Sequence, residues 1–183
     1  WRAMLGAGAV EESHSALQDA KTATFATDQQ VPLILFPENR EQVAACLRIA
    51  HTYGIALSPV SRGKNWGYGS RVPAQSGAVL LSLERMNRIV EVHADDFQVT
   101  VGPGIGHKDL NAALARYGLF FPPDPGANAT VGGMLANNAA GIRTVKYGAS
   151  KDNVLKMQVA LADGRLIHVG SRSVKQSSGY DLL

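Results

Sequence analysis

The chain has 183 residues, 45% hydrophobic and 18% charged, with a formal net charge of +3. That balance is too apolar for a disordered chain, and the charge is too small and too dispersed for a nucleic-acid-binding face. No apolar run approaches the roughly 20 residues that span a bilayer; Trp1-Arg2-Ala3-Met4 is not the start of a secretory signal; and a single cysteine, Cys46, rules out an internal disulfide framework. A cytoplasmic location is expected, with peripheral association with a membrane left open.

In chain order, Val10 to Lys21 reads as one short helix. Leu33 to Phe36 is a short buried strand stopped by Pro37. Asn39 then caps a helix, with Gln42 three residues on as in a capping box. Val43, Cys46, Leu47 and Ala50 form its apolar stripe, Gly54 ends it, and Ile55 to Val60 is a second strand. Residues 33–60 therefore predict a β-α-β unit with parallel strands. A third strand is expected at Ala78 to Leu83. Arg88–His93 and Phe97–Val101 read as a hairpin turned at Ala94-Asp95-Asp96. A helix carrying Leu110, Ala113, Leu114 and Tyr117 stops at Gly118, and a long loop runs through Pro122 to Gly141. Val154–Leu161 and Leu166–Val169, joined at Asp163-Gly164, form the clearest hairpin. The fold class is α+β in two lobes: a β-α-β lobe over about residues 22–82 and a mainly antiparallel α+β lobe over about 83–183.

Two loops could carry chemistry. Gly63-x-x-x-Gly67-x-Gly69 follows a strand, where glycines permit positive φ and successive backbone N–H groups can form an anion-binding nest. Arg62 and Lys64 add positive charge there. The dinucleotide pattern Gly-x-Gly-x-x-Gly fails, because Val72 follows Gly67-x-Gly69 at the third glycine position and His107 follows Gly102-x-Gly104. The Walker pattern fails at Gly63-Lys64-Asn65. A glycine-rich surface turn without a ligand fits the same spacing. In the second loop, Thr130-Val131-Gly132-Gly133, Asn137-Asn138 and Ala139-Ala140-Gly141 supply small residues and amides suited to a flat polar ring, or to close backbone packing alone. The five histidines, His14, His51, His93, His107 and His168, are too scattered for a metal site, and Ser61 lacks a Gly-x-Ser-x-Gly elbow.

Several ordered motifs carry a resemblance. They are Pro59 to Ser70, Val101-Gly102-Pro103-Gly104, Pro122 to Gly126, Val131-Gly132-Gly133, Asn138 to Gly141, Lys146-Tyr147-Gly148, Asp152-Asn153-Val154 and Ser178 to Leu182. Over about residues 20–183 they resemble the FAD-binding domain of the vanillyl-alcohol oxidase/p-cresol methylhydroxylase superfamily: Pro59 to Ser70, with Leu83 to Val90, looks like its aromatic-alcohol branch, and the chain from Val101 onward looks like its D-lactate dehydrogenase and glycolate oxidase branch, the nearer of the two overall.

The resemblance implies FAD as cofactor and assigns roles to residues. Ser61, Arg62, Gly63, Lys64, Asn65, Gly67, Tyr68, Gly69 and Ser70 would form the pyrophosphate loop, acting through backbone N–H groups. Pro123, Asp124, Thr130, Val131, Gly132 and Gly133 would line the flavin and its ribityl chain, and Asn138, Gly141, Tyr147 and Gly148 would continue that wall. Asp152, Asn153 and Val154 would lie toward the nucleotide portion. The loop at 61–70 has no histidine, so FAD is expected to be bound without a covalent link.

The implied reaction is hydride transfer from a 2-hydroxy acid of the D-lactate or glycolate type to FAD. Oxidation of para-substituted phenols is the alternative, and a non-catalytic FAD-binding or electron-transfer module is a third reading. The resemblance also implies a truncated fragment, inactive alone. A missing C-terminal substrate domain or companion subunit would supply the catalytic base. No metal is expected, and the electron acceptor is not indicated.

Overall fold

Asn39 and Gln42 start the longest helix by a reciprocal cap. Asn39 Oδ1 accepts from the Gln42 N–H at 2.9 Å, and Gln42 Oε1 accepts from the Glu38 N–H at 2.7 Å. The helix, α3, runs Arg40–Tyr53 and ends at Gly54 in the left-handed conformation, φ 63°. Its buried face is Val43, Ala44, Cys46 and Ala50. Burial pushes the Cys46 thiol pKa up to about 11, which keeps it an inert packing group. The computed structural model in which these contacts are seen describes residues 1–64, 70–175, 177 and 179–183.

Strands β2 (Ile34–Leu35) and β3 (Leu57–Val60) flank α3 in sequence and run parallel, but β4 (Val79–Ser82) lies between them. The sheet order is β1-β2-β4-β3, with β1 (Val10–Glu11) antiparallel at one edge. The helix expected over 10–21 is thus split. Val10 and Glu11 pair with Leu35 and Ile34, and the helix, α2, begins only at His14 and ends at Lys21. Sheet pairing overrides local helix preference there. Side chains alternate across the sheet. Leu35, Val79 and Leu81 pack with Val43 and Cys46 of α3, while Ile34 and Leu80 pack with Ala20 of α2 and Val31. A very short helix, α1 (Arg2–Leu5), lies against α3.

β5 (Ile89–His93) and β6 (Gln98–Val101) form an antiparallel hairpin with an irregularity between Ile89 and Glu91, turned through Phe97 at φ 54°. Helix α4 (His107–Leu114) continues as a 3₁₀ turn, Ala115–Tyr117, and stops at Gly118, φ 69°. Its Leu110 and Leu114 join Ile105, Phe121, Val131 and Met134 in a second core, against which Ile89, Val92, Val99 and Val101 pack. The last hairpin, β7 (Lys156–Ala160) with β8 (Leu166–Gly170), docks its turn on α3, where Arg48 Nη1 donates to the Gly164 carbonyl at 3.4 Å. Beyond it, Arg172 returns to the β5–β6 hairpin and pairs with Glu91 at 2.5 Å. Among the described residues no helix is long and apolar enough to cross a membrane.

The loop expected from Pro122 to Gly141 contains α5 (Val131–Ala136), and α6 (Thr144–Tyr147) follows it. Two glycines at the start of α5 are poor helix formers, so periodicity hides it. Tertiary bonds hold it instead: Val131 N–H to the Ile105 carbonyl at 3.0 Å and Gly132 N–H to the Pro103 carbonyl at 2.9 Å. A Cβ on Gly132 would fall 2.6 Å from Pro103 Cβ, and one on Gly141 would overlap the Asp124 carbonyl. Both glycines are demanded by backbone contact within the protein.

Gly141→Ala is therefore expected to cost about 2 kcal/mol by overpacking. Gly126→Ala, which meets nothing within 4 Å, should be close to neutral. Asn39→Ala should cost about 1 kcal/mol through the lost cap. Denaturant titration of the full-length protein checks all three. Equal midpoints for Gly141→Ala and Gly126→Ala would contradict the packing account.

Candidate cofactor site

Ligands of α/β sheets gather beyond the carboxyl ends of parallel strands. At that edge β3 runs into Ser61-Arg62-Gly63-Lys64. Gly63 has φ 64° and Ser70 φ 59°, so the chain adopts the left-handed conformation on both sides of residues 65–69. Four predicted site residues, Asn65, Gly67, Tyr68 and Gly69, lie outside the described residues. Ser61 Oγ is buried and has no hydrogen-bond partner among the described residues. Arg62 reaches across to α4, its Nη2 standing 3.2 Å from Asp109 Oδ2. Lys64 is exposed.

The two predicted loops meet at the start of α4. Gly106 forms an antiparallel bridge with Thr130. The His107 N–H donates to the Ala129 carbonyl at 2.9 Å, and the Lys108 N–H to Asn128 Oδ1 at 3.2 Å. A Cβ on Gly106 would overlap Asp109 Oδ2 and sit 2.7 Å from Arg62 Nη1, so the ends of these two paired side chains lie over its Cα. Arg62 of the first segment and Thr130 of the second are thus both joined to the start of α4. Sequence reasoning missed Gly106, because a lone glycine before a helix has no spacing signature.

Asn111, one turn along α4, holds the next part of the loop. Its Oδ1 accepts from the Phe121 N–H at 2.7 Å, and its Nδ2 donates to the Phe121 carbonyl at 3.2 Å. Pro123 beyond it is fully buried. The Asp124 side chain is one-third exposed and stands 3.8 Å from Arg143 Nε. Thr130 and Val131 are buried, whereas a Cβ on Gly133 would meet only Thr130 Oγ1, at 3.2 Å.

The remaining predicted residues form a neighbouring turn whose polar groups satisfy one another. Asn138, at φ 45°, accepts from the Lys151 N–H at 2.9 Å. Tyr147 meets Phe120 edge to face at 5.5 Å. Gly148, at φ 77°, packs on Asp152, whose Oδ2 accepts from the Ala149 N–H at 2.8 Å. Asn153 Nδ2 donates to the carbonyls of Tyr147 and Ala149 at 3.0 and 2.9 Å, and Val154 is half-buried at its edge.

His107 also went unassigned in the sequence. It is 5% exposed, and burial holds its pKa below the ordinary histidine range; Asp124 opposes that shift, while Arg143 and Lys108 add to it. Among the described residues no cluster of His, Cys, Asp and Glu could hold a metal. A separate concavity of about 430 Å³ between α3 and the β7–β8 turn is lined by charges of both signs, with Asp163 and Arg165 paired at 2.6 Å.

The chemistry of the described ends of the first loop, residues 61–64 and 70, suits a diphosphate-bearing ligand. An unsatisfied buried hydroxyl at Ser61, left-handed backbone at Gly63 and Ser70, and the Arg62 cation offer it donors and positive charge.

Comparison with known proteins agrees with that chemistry. The FAD binding domain family matches residues 31–170. Over 153 residues the chain is 44% identical to a D-lactate dehydrogenase of Archaeoglobus fulgidus, covering 82% of this chain and 34% of that protein. It is 41% identical over 153 residues to a probable mitochondrial D-lactate dehydrogenase of Danio rerio, covering 82% and 30%. The crystal structure of p-cresol methylhydroxylase with substrate bound superposes with a TM-score of 0.82 at 25% identity, covering 100% of this chain and 36% of that one. The chain spans about a third of the length of these relatives. It belongs to the FAD binding domain family, in the α+β fold it shares with p-cresol methylhydroxylase, and its cofactor is FAD.

Proposed function

We propose that the chain is the FAD-binding part of an oxidoreductase acting on a 2-hydroxy acid of the D-lactate or glycolate type, with FAD held without a covalent link. The observation that carries the substrate class is the 44% and 41% identity to two D-lactate dehydrogenases over most of this chain. Bound FAD would supply the two-electron acceptor for the hydride that leaves the α-carbon of such an acid. The chain's own work is binding and orientation. Ser61, Arg62 and Gly63, with Lys64 and Ser70, would hold the diphosphate. Pro123, Asp124 and Thr130 to Gly133 would border the ring and ribityl chain, and the turn at 138–154 would buttress them. The base that takes the hydroxyl proton, the groups that bind the substrate carboxylate and the electron acceptor are assigned to parts of the protein outside this chain.

A second reading, oxidation of para-substituted phenols, draws support from the superposition on p-cresol methylhydroxylase. It ranks lower because the identity there is 25%, against 44% and 41% to the D-lactate dehydrogenases.

The test uses the full-length protein. It should purify yellow, release its flavin on acid precipitation, and lose its colour anaerobically with D-lactate or glycolate but not with 4-alkylphenols. Bleaching by phenols alone would overturn the substrate class. Flavin retained in the acid pellet would overturn non-covalent binding. A bound flavin that no substrate bleaches would indicate a non-catalytic module.

A further inference from the structure

His107 is a buried imidazole with one nitrogen accounted for and one not. Asn111 Nδ2 stands 3.1 Å from its Nε2. The orientation of that amide is fixed independently, because the Phe121 N–H needs the Asn111 oxygen and the Phe121 carbonyl needs the Asn111 nitrogen. Asn111 therefore donates to His107, Nε2 accepts, and in the neutral ring the proton sits on Nδ1. Burial favours the neutral ring. Nδ1 is itself buried and has no partner among the described residues. A buried N–H left unsatisfied is costly, so it calls for a partner that arrives later.

The place narrows the partner. His107 follows Gly106, on which Arg62 of the first loop rests, and its own backbone N–H ties down Ala129 of the second. The charged groups around the ring are Asp124, Arg143 and Lys108, all on partly or fully exposed side chains. The backbone N–H groups of His107 and Lys108 are already taken by the 128–129 segment, so the helix start offers no ready anion site and the side chain is the remaining donor.

We propose that His107 is a cofactor-contacting residue, donating its Nδ1–H to an oxygen acceptor of bound FAD. This inference rests on the FAD reading above. In the FAD-loaded protein the neutral imidazole then bridges Asn111 on one side and the cofactor on the other. It links cofactor occupancy to the Phe121 end of the loop that carries Pro123 and Asp124.

The test compares FAD binding to FAD-stripped full-length protein by quenching of flavin fluorescence. His107→Gln keeps an amide near the Nε2 position, facing Asn111, but loses the Nδ1 donor. His107→Asn keeps an N–H near the Nδ1 position. The first should raise the FAD Kd about tenfold, and the second should stay within about threefold of wild type. In the wild-type protein, the His107 Nδ1–H should give a protected downfield proton resonance with FAD bound and none without it. That measurement stands even if a variant fails to fold. An unchanged Kd in His107→Gln, an equal loss in both variants, or a proton resonance indifferent to FAD would overturn the proposal. A wild-type protein that takes up no FAD would overturn the cofactor reading, and the proposal with it.

Discussion

The first turn of α4 is the point on which the site depends, because both segments are tied to it. Arg62 pairs with Asp109 beside Gly106, while the Gly106 backbone bridges to Thr130. Arg62 and Thr130, from two separate loops, are thereby brought to the first turn of one helix. Neither loop is regular enough to hold itself. Among its described residues the first has Gly63 and Ser70 in the left-handed conformation, and the second opens a six-residue helix with a glycine pair. Their shape comes from the scaffold: the β3 carboxyl end on one side, and the Pro103 and Ile105 carbonyls on the other.

The same junction holds two of the four buried side-chain atoms that lack partners among the described residues; the others are Gln29 Oε1 and Ser82 Oγ. Proteins bury few hydrogen-bonding atoms without partners. Ser61 Oγ and His107 Nδ1, each one residue away from the Arg62–Gly106 contact, are two of them. The turn at 138–153 is the opposite case, since the side chains of Asn138, Asp152 and Asn153 are all committed to nearby backbone groups. A ligand has more to gain at the junction than at the turn. The turn reads as a support, with Gly141 and Gly148 fitted to Asp124 and Asp152 of the protein itself.

Much of the fold was legible because local and tertiary signals agree there. Asn39, Gln42 and Gly54 marked both ends of α3, its apolar stripe marked the buried face, and two apolar-rich runs joined at Asp163-Gly164 marked the β7–β8 hairpin. Failures arose where a non-local contact decides. Val10 and Glu11 form a strand only because Leu35 and Ile34 are beside them, and α5 forms despite Gly132 and Gly133 because Pro103 and Ile105 hold its first turn. The insertion of β4 between β2 and β3 is a property of the whole sheet, which no segment displays. In the site, glycine clustering and ordered motifs pointed to both loops, but not to their meeting place. Gly106, His107 and Asn111 have no diagnostic spacing; geometry alone reveals them.

The central claim is that the two glycine-rich segments form one cofactor site through α4. Amide hydrogen exchange of the full-length protein, with and without FAD, tests it most directly. The account predicts that FAD slows exchange together at residues 61–64 and 128–133, at matching FAD concentrations. Protection of one segment while the other exchanges at its cofactor-free rate would contradict it.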